Sequence, residues 1–172
     1  MLRKHIVKAA PSLAVPEPGE IDIAATATVL VTSEDPAHPI EHVFDHQRGP
    51  GGSRWVAAEP GEQMLILAFD TPQTLHQIIV EVEEPDVCRT QELRLSVSHD
   101  GGQTYREWRR QDYTFSPPGT TFEREAWVVR SEGVTHLHLW LKPDKGGKPC
   151  QATLTALVCK RAENWSPRKH GT

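Results

Sequence analysis

Apolar and polar residues alternate with period two along most of the middle of this chain. In Glu92–Ser98, Leu93, Leu95 and Val97 share one face while Arg94 and Ser96 share the other. Thr135–Leu141 repeats the pattern, with Leu137, Leu139 and Leu141 opposite His136, His138 and Trp140. Ile78–Val82 sets Ile78, Val80 and Val82 against Ile79 and Glu81, and Ala152–Lys160 groups Leu154, Ala156 and Val158. Met64–Phe69 is almost continuously apolar, which predicts a strand covered on both faces. Less regular strand candidates are Ile21–Thr32, Tyr105–Arg109 and Phe122–Arg130. No segment holds a 3.6-residue period for three turns, so long amphipathic helices are not predicted.

Turn chemistry separates these runs: Pro60-Gly61, Thr71-Pro72, Asp100-Gly101-Gly102, Pro117-Pro118-Gly119 and Gly146-Gly147. Asp-Gly between two apolar runs is the strongest short-range hairpin signal. A short helical turn is expected at Pro39–Phe44, since proline suits a first helical position. Many short strands with strong turns predict an all-β fold, an antiparallel β-sandwich or jelly roll with at most one short helical turn. Residues 1–19 carry Pro11, Pro16 and Pro18 and read as a flexible leader, residues 20–161 as the sandwich, and residues 162–172 as a flexible tail.

Composition narrows the function classes. The chain has 172 residues, Lys+Arg 19 against Asp+Glu 23, and a formal net charge of −4. Mild acidity argues against non-specific nucleic-acid binding, which needs a cationic field. No apolar run approaches the ~18 residues of a membrane span, and no membrane partner is expected. The basic start (Arg3, Lys4, Lys8) is broken by prolines before a signal-like apolar stretch forms, so the expected location is cytoplasmic. Cys88, Cys150 and Cys159 cannot all pair within the chain and lack a zinc-site spacing. They read as free thiols in a reducing compartment, with Cys150–Cys159 as the alternative pairing.

Two segments are more specific than the alternation. One is His38-Pro39-Ile40-Glu41-His42-Val43-Phe44-Asp45, a Gly-rich loop and Ser53-Arg54-Trp55; the other is the hairpin Ser98-His99-Asp100-Gly101-Gly102-Gln103-Thr104-Tyr105. With the strands around them they resemble the discoidin or factor V/VIII type C family, part of the galactose-binding-like superfamily that includes many carbohydrate-binding modules. The resemblance spans roughly residues 24–161. It implies a galactose-binding-like sandwich and a non-catalytic module that binds carbohydrate through rim loops and exposed aromatics. Where family members commonly have Gly after the Asp, this chain has His46. The family also implies a structural calcium near that loop, with a carboxylate from the last strand. Here that strand reads Thr153-Leu154-Thr155-Ala156-Leu157, so Asp45 is left nearly alone. Calcium favours six to eight oxygen ligands, and no cofactor is therefore expected.

The candidate ligand-binding residues form two groups. His136, His138 and Trp140 project from one strand face, where an indole can stack on the C–H face of a sugar while imidazoles meet hydroxyls. Packing of that face under another segment is the structural alternative. Trp108, Arg110 and Tyr113 lie beyond the Asp-Gly hairpin, and planar aromatics with Arg are common binding anchors. A solvated hairpin would carry the same residues. His42 and His46, four apart, are candidate transition-metal ligands, with loop histidines as the plainer reading. No HExxH, GxSxG or Cys–His signature is present, so the chain is not expected to be an enzyme. Five Trp against two Tyr and four Phe leave indoles to spare after a core is filled, which favours carbohydrate. A protein-interaction adaptor is the alternative, and nicked-DNA binding through Arg106–Arg110 and Lys160-Arg161 a weaker one.

Overall fold

The computed structural model describes residues 16–162. The leader expected over 1–19 and the tail over 162–172 fall outside the described residues for 1–15 and 163–172. Within them, Glu17 reaches Lys160 and Arg48, and the carbonyl of Gly19 accepts from the Arg161 N–H at 2.9 Å.

Eight strands follow in chain order: β1 (Ala27–Val31), β2 (Trp55–Val56), β3 (Gln63–Glu83), β4 (Arg89–Ser98), β5 (Arg106–Phe115), β6 (Phe122–Lys142), β7 (Thr153–Leu154) and β8 (Ala156–Lys160). All pairings are antiparallel. Two 21-residue strands, β3 and β6, organise the sandwich. The first part of β3 pairs with β1 and with the second part of β6, which continues through β4 to β5. The second part of β3 pairs with β8 and with the first part of β6. Register shifts between Ala68 and Gln77 mark where the two strands cross from one layer to the other. Thr71-Pro72, expected to end a strand, lies inside this irregular crossing. Proline lacks a ladder donor but is tolerated where pairing is broken by a bulge.

The core is built by the alternation. Leu65, Leu67 and Phe69 from β3, Leu93, Leu95 and Val97 from β4, and Leu137, Leu139 and Leu141 from β6 are buried together. They meet Ile78, Val80, Val82, Leu157 and Cys159 from the other layer. Small β2 and β7 close one end, where Trp55 is 1% exposed and donates its indole N–H to the Ser33 carbonyl at 3.0 Å. Fully burying so large a ring adds more apolar contact than any other single core residue can.

Several expectations are corrected. Met64–Phe69 is not covered on both faces: Met64 is 40% exposed, because only one side of this layer meets the other sheet. In Ile78–Val82 the reverse holds, and Ile79 packs with Ala156 and Val158 in a second buried cluster. Ile21–Thr32 is not strand throughout. Asp22 caps a single helical turn, α1 (Ile23–Thr26), by accepting from the Ala25 N–H, before β1 begins. The turn expected at Pro39–Phe44 is a 3-10 turn, Ile40–Phe44, with Pro39 at its cap. All three cysteines are free, Cys88 exposed and Cys150 and Cys159 buried. Burial pushes the Cys159 thiol up to about 12.

Candidate functional site

The outer surface of the five-stranded layer, away from the core, collects most of the chemistry. Because Leu137, Leu139 and Leu141 point inward, His136, His138 and Trp140 must point outward. Strand pairing then sets rows across this face. Met64, Trp140, Arg94 and Arg110 are successive partners on β3, β6, β4 and β5. Ile66, His138 and Ser96 form the next row, and Ala68, His136 and Ser98 the one after.

The Trp140 row is held in place by directed contacts. The Arg94 guanidinium lies 4.2 Å from the centre of the Trp140 ring, close enough for a cation–π interaction. Arg94 is itself anchored to Glu92 through Nε and Nη2, both 3.2 Å from Oε1. The indole N–H of Trp140 donates to Glu62 Oε2 at 3.4 Å. Arg110 stands at the exposed end of the row and donates to Glu107 at 2.6 Å. Each guanidinium in this row thus has a carboxylate beside it.

The β4–β5 hairpin supplies the other half of the face. Asp100 accepts from the Thr104 hydroxyl at 2.5 Å, the Thr104 N–H at 2.9 Å and the Ser98 hydroxyl at 2.7 Å. Hydrogen bonds from Thr104 and Ser98 hold its carboxyl at about 2, well below the usual range. Gly101 and Gly102 both have positive φ, as the Asp-Gly-Gly signal requires. A Cβ on Gly102 would stand 3.3 Å from the Tyr105 hydroxyl and 3.4 Å from the His136 ring. The glycine therefore lets the hairpin fold Tyr105 over the sheet, where its ring sits 5.3 Å from that of His138. Burial lowers the pKa of His138 and raises that of Tyr105. His138 Nε2 lies 3.0 Å from Met64 Sδ, and His136 Nδ1 lies 3.1 Å from the Thr135 hydroxyl.

His136, His138, Trp140 and Arg110 therefore share one face. Of the second group, Trp108, Arg110 and Tyr113, only Arg110 lies on this face. Register slips by one residue between Leu95 and Ser96, and Trp108 sits in that irregularity. It packs against the core, meeting Trp127 edge to face at 6.1 Å. The Arg109 guanidinium lies 5.3 and 5.6 Å from the two rings. These three residues seal the seam where the edges of the two layers meet. Tyr113 is 2% exposed, its hydroxyl has no partner, and burial raises its pKa. Met64, Tyr105, Arg94 and Glu62 were not singled out from sequence. The outward position of Arg94 is legible in the alternation, but its stacking on Trp140 depends on strand register.

The metal candidates are drawn apart. His42 Nδ1 faces the Arg54 carbonyl at 3.0 Å, whereas His46 Nδ1 faces Glu20 Oε1 at 3.2 Å. Asp45 takes the Gln47 N–H on one oxygen at 2.9 Å and the Ser53 hydroxyl on the other. Among the described residues no group of three or more His, Cys, Asp or Glu is arranged to hold a metal. The donor set around Asp45 does not fit calcium, because its oxygens are already used to fold its own loop. At one end of the sandwich, Arg54, Glu84, Asp86 and Arg89 line a polar cavity of about 170 Å³. That is below the roughly 300 Å³ at which ordinary ligand pockets begin.

No family model and no curated protein matches the chain. Solved structures do. A family 32 carbohydrate-binding module of Clostridium perfringens, CpGH89CBM32-5, in complex with GalNAc-β-1,3-galactose, aligns at TM-score 0.59 and 16% identity, over 83% of this chain and 99% of that one. The family 32 module of NanJ from the same organism, in complex with galactose, aligns at TM-score 0.56 and 11% identity, over 83% and 98%. The CBM32-1 and CBM32-2 domains of ZmpB, also from C. perfringens and in complex with GalNAc, align at TM-score 0.59 and 13% identity, over 83% of this chain. This chain spans 36% of that two-domain chain. The fold is therefore the antiparallel β-sandwich that these carbohydrate-binding modules also adopt.

Proposed function

We propose that the chain is a non-catalytic carbohydrate-binding module whose ligand lies on the outer face of the five-stranded layer. The observation that carries this reading is the fixed stack of Arg94 on Trp140, with Glu62 at the indole N–H and His138 and Tyr105 alongside. An indole fixed by its neighbours meets a pyranose without first losing rotamer entropy. The guanidinium, carboxylate and neutral imidazole beside it offer both donors and acceptors to sugar hydroxyls. The solved neighbours that bind galactose and GalNAc support the same class of ligand. Three unpaired thiols support a reducing, cytoplasmic setting. Calorimetric titration with galactose, GalNAc and their disaccharides tests the reading. Binding that is lost in Trp140→Ala and kept in Arg109→Ala supports it. No heat with any of these sugars, or equal binding by both variants, removes it.

One observation favours a second reading, an adaptor for a protein partner. Leu30 and Met64 are 53% and 40% exposed, and Leu30 pairs with Ile66 in the row that His138 continues. Apolar side chains on a sheet face suit a protein surface better than a sugar. Affinity capture on the folded module that depends on Leu30 but not on Trp140 would select this reading.

A further inference from the structure

β1 is the edge strand of its layer, and among the described residues no strand pairs with its outer side. Beside it lies an apolar groove of about 420 Å³, bounded by α1, β1 and the 3-10 turn. Ile23, Val29, Ile40 and Phe44 line it, together with Glu41 and Asp45. The volume falls in the range of roughly 300–1,000 Å³ that ordinary ligand pockets occupy. Alternation puts Val29 on the opposite side of β1 from Leu30, so the groove does not share the outer face given to sugar. Its charge is one-sided. Glu41 is exposed and has no cation beside it among the described residues, and Asp45 takes only the Gln47 N–H and the Ser53 hydroxyl. The nearby cations are already used: His46 faces Glu20 at 3.2 Å, and Arg48 pairs with both Glu17 and Glu20.

We propose that residues 3–8 of this chain occupy the groove, with Ile6 and Val7 against its apolar wall and Arg3, Lys4 and Lys8 against Glu41 and Asp45. Charge and reach select this occupant. The segment reads Arg3-Lys4-His5-Ile6-Val7-Lys8, three cations around two β-branched apolar residues. That is the complement of an apolar groove with two carboxylates and no cation of its own. The described chain begins at Pro16, beside the loop that follows Asp45, because Glu17 reaches Arg48 at 3.5 Å. Arg48 lies three residues from Asp45, a step of at most about 11 Å, whereas the chain from Lys8 to Pro16 extends to roughly 28 Å. The distance is covered even with the Glu17 and Arg48 side chains added. Removing Ile6, Val7 and the Phe44 ring from water supplies the driving force. The segment expected to be a flexible leader is then seated on the sandwich, and it shields an edge strand that another chain can otherwise pair with. None of this depends on the sugar reading.

The test is methyl NMR on the full chain labelled with 13C at isoleucine and valine methyls. The expected result is a set of nuclear Overhauser contacts from Ile6 or Val7 to the Ile40 methyl and the Phe44 ring. Ile6→Asp together with Val7→Asp is expected to abolish them and to shift the Ile23 and Ile40 methyl signals, while the Leu154–Trp55 end of the sandwich stays unmoved. Reversing the three charges, Arg3→Glu, Lys4→Glu and Lys8→Glu, is expected to weaken the contacts at least about twofold. Neither variant alters a residue of the described sandwich, so the fold is not at risk. Mixing labelled with unlabelled chains separates the two possible sources of the segment, and contacts within one chain are expected. Absence of these contacts, Ile23 and Ile40 signals that do not respond to the Ile6 and Val7 changes, full contacts in the charge-reversed chain, or contacts only between chains would each overturn the proposal.

Discussion

The outer face and the edge seam of this sandwich use the same residue types for opposite purposes. At the seam, Trp108 and Trp127 meet edge to face and Arg109 lies beside both rings. On the outer face, Arg94 lies over Trp140 and the indole N–H reaches Glu62. Both are Trp–Arg clusters, and composition cannot tell them apart. What separates them is the side of the strand on which each ring leaves the backbone. Trp140 alternates with three inward leucines and so points out. Trp108 sits at a one-residue register slip that turns it back toward the core. A slip of one position reverses the face of every side chain beyond it. An aromatic cluster becomes a candidate for recognition only after the parity of its strand is known.

The contrast predicts a graded series. Trp127→Ala removes a ring only 7% exposed from the seam. It is expected to cost about 3–5 kcal/mol in denaturant unfolding, the range for buried aromatic truncations. Trp140→Ala should cost about 1 kcal/mol, since it loses one cation–π contact and a partly solvated ring, yet it should abolish sugar binding. If the two costs are reversed, the assignment of the two clusters is reversed with them.

A pH titration of stability probes the hairpin that carries Tyr105 onto the face. The Asp100 carboxyl is held at about 2, below its ordinary value of 3.8. A carboxylate whose folded pKa is depressed stabilises the fold above the unfolded value and loses that contribution as pH falls. Stability should therefore decline between about pH 4 and pH 2. The decline should be smaller in Asp100→Asn, measured by thermal unfolding across that range. The smallest effect is expected at Tyr113, whose buried hydroxyl lacks a partner. Tyr113→Phe should leave stability unchanged or slightly raised and ligand binding untouched, because it removes an unsatisfied polar atom and almost no volume.

Much of this architecture was legible in the chain because alternation carries burial directly. Leu93–Val97 and Leu137–Leu141 point inward as their spacing requires, and Asp100-Gly101-Gly102 makes the expected turn. Phe44 packs against the core, and Asp45 accepts the Gln47 N–H of its own loop. The misreadings share one cause, namely information that lies in pairing rather than in spacing. Thr71-Pro72 looks like a terminator, but β3 runs through it because both long strands bend between layers there. Met64–Phe69 looks covered on both faces, since apolar content alone does not show that one side of a layer is open. Residue type alone groups Tyr113 and Trp108 with Arg110, whereas the burial of Tyr113 and the half-burial of Trp108 follow from the partner strand and its bulge. Likewise the contact of Met64 with His138 joins residues 74 positions apart. No local pattern announces such a contact.

Indole N–H resonances provide the most direct test of the central claim that the open sheet face, not the seam, meets the ligand. In a titration with GalNAc-β-1,3-galactose followed by 15N-labelled Trp signals, the Trp140 resonance is expected to shift and saturate. Those of Trp108 and Trp127 should stay in place. Saturable shifts at Trp108 or Trp127 with Trp140 unmoved would contradict the account.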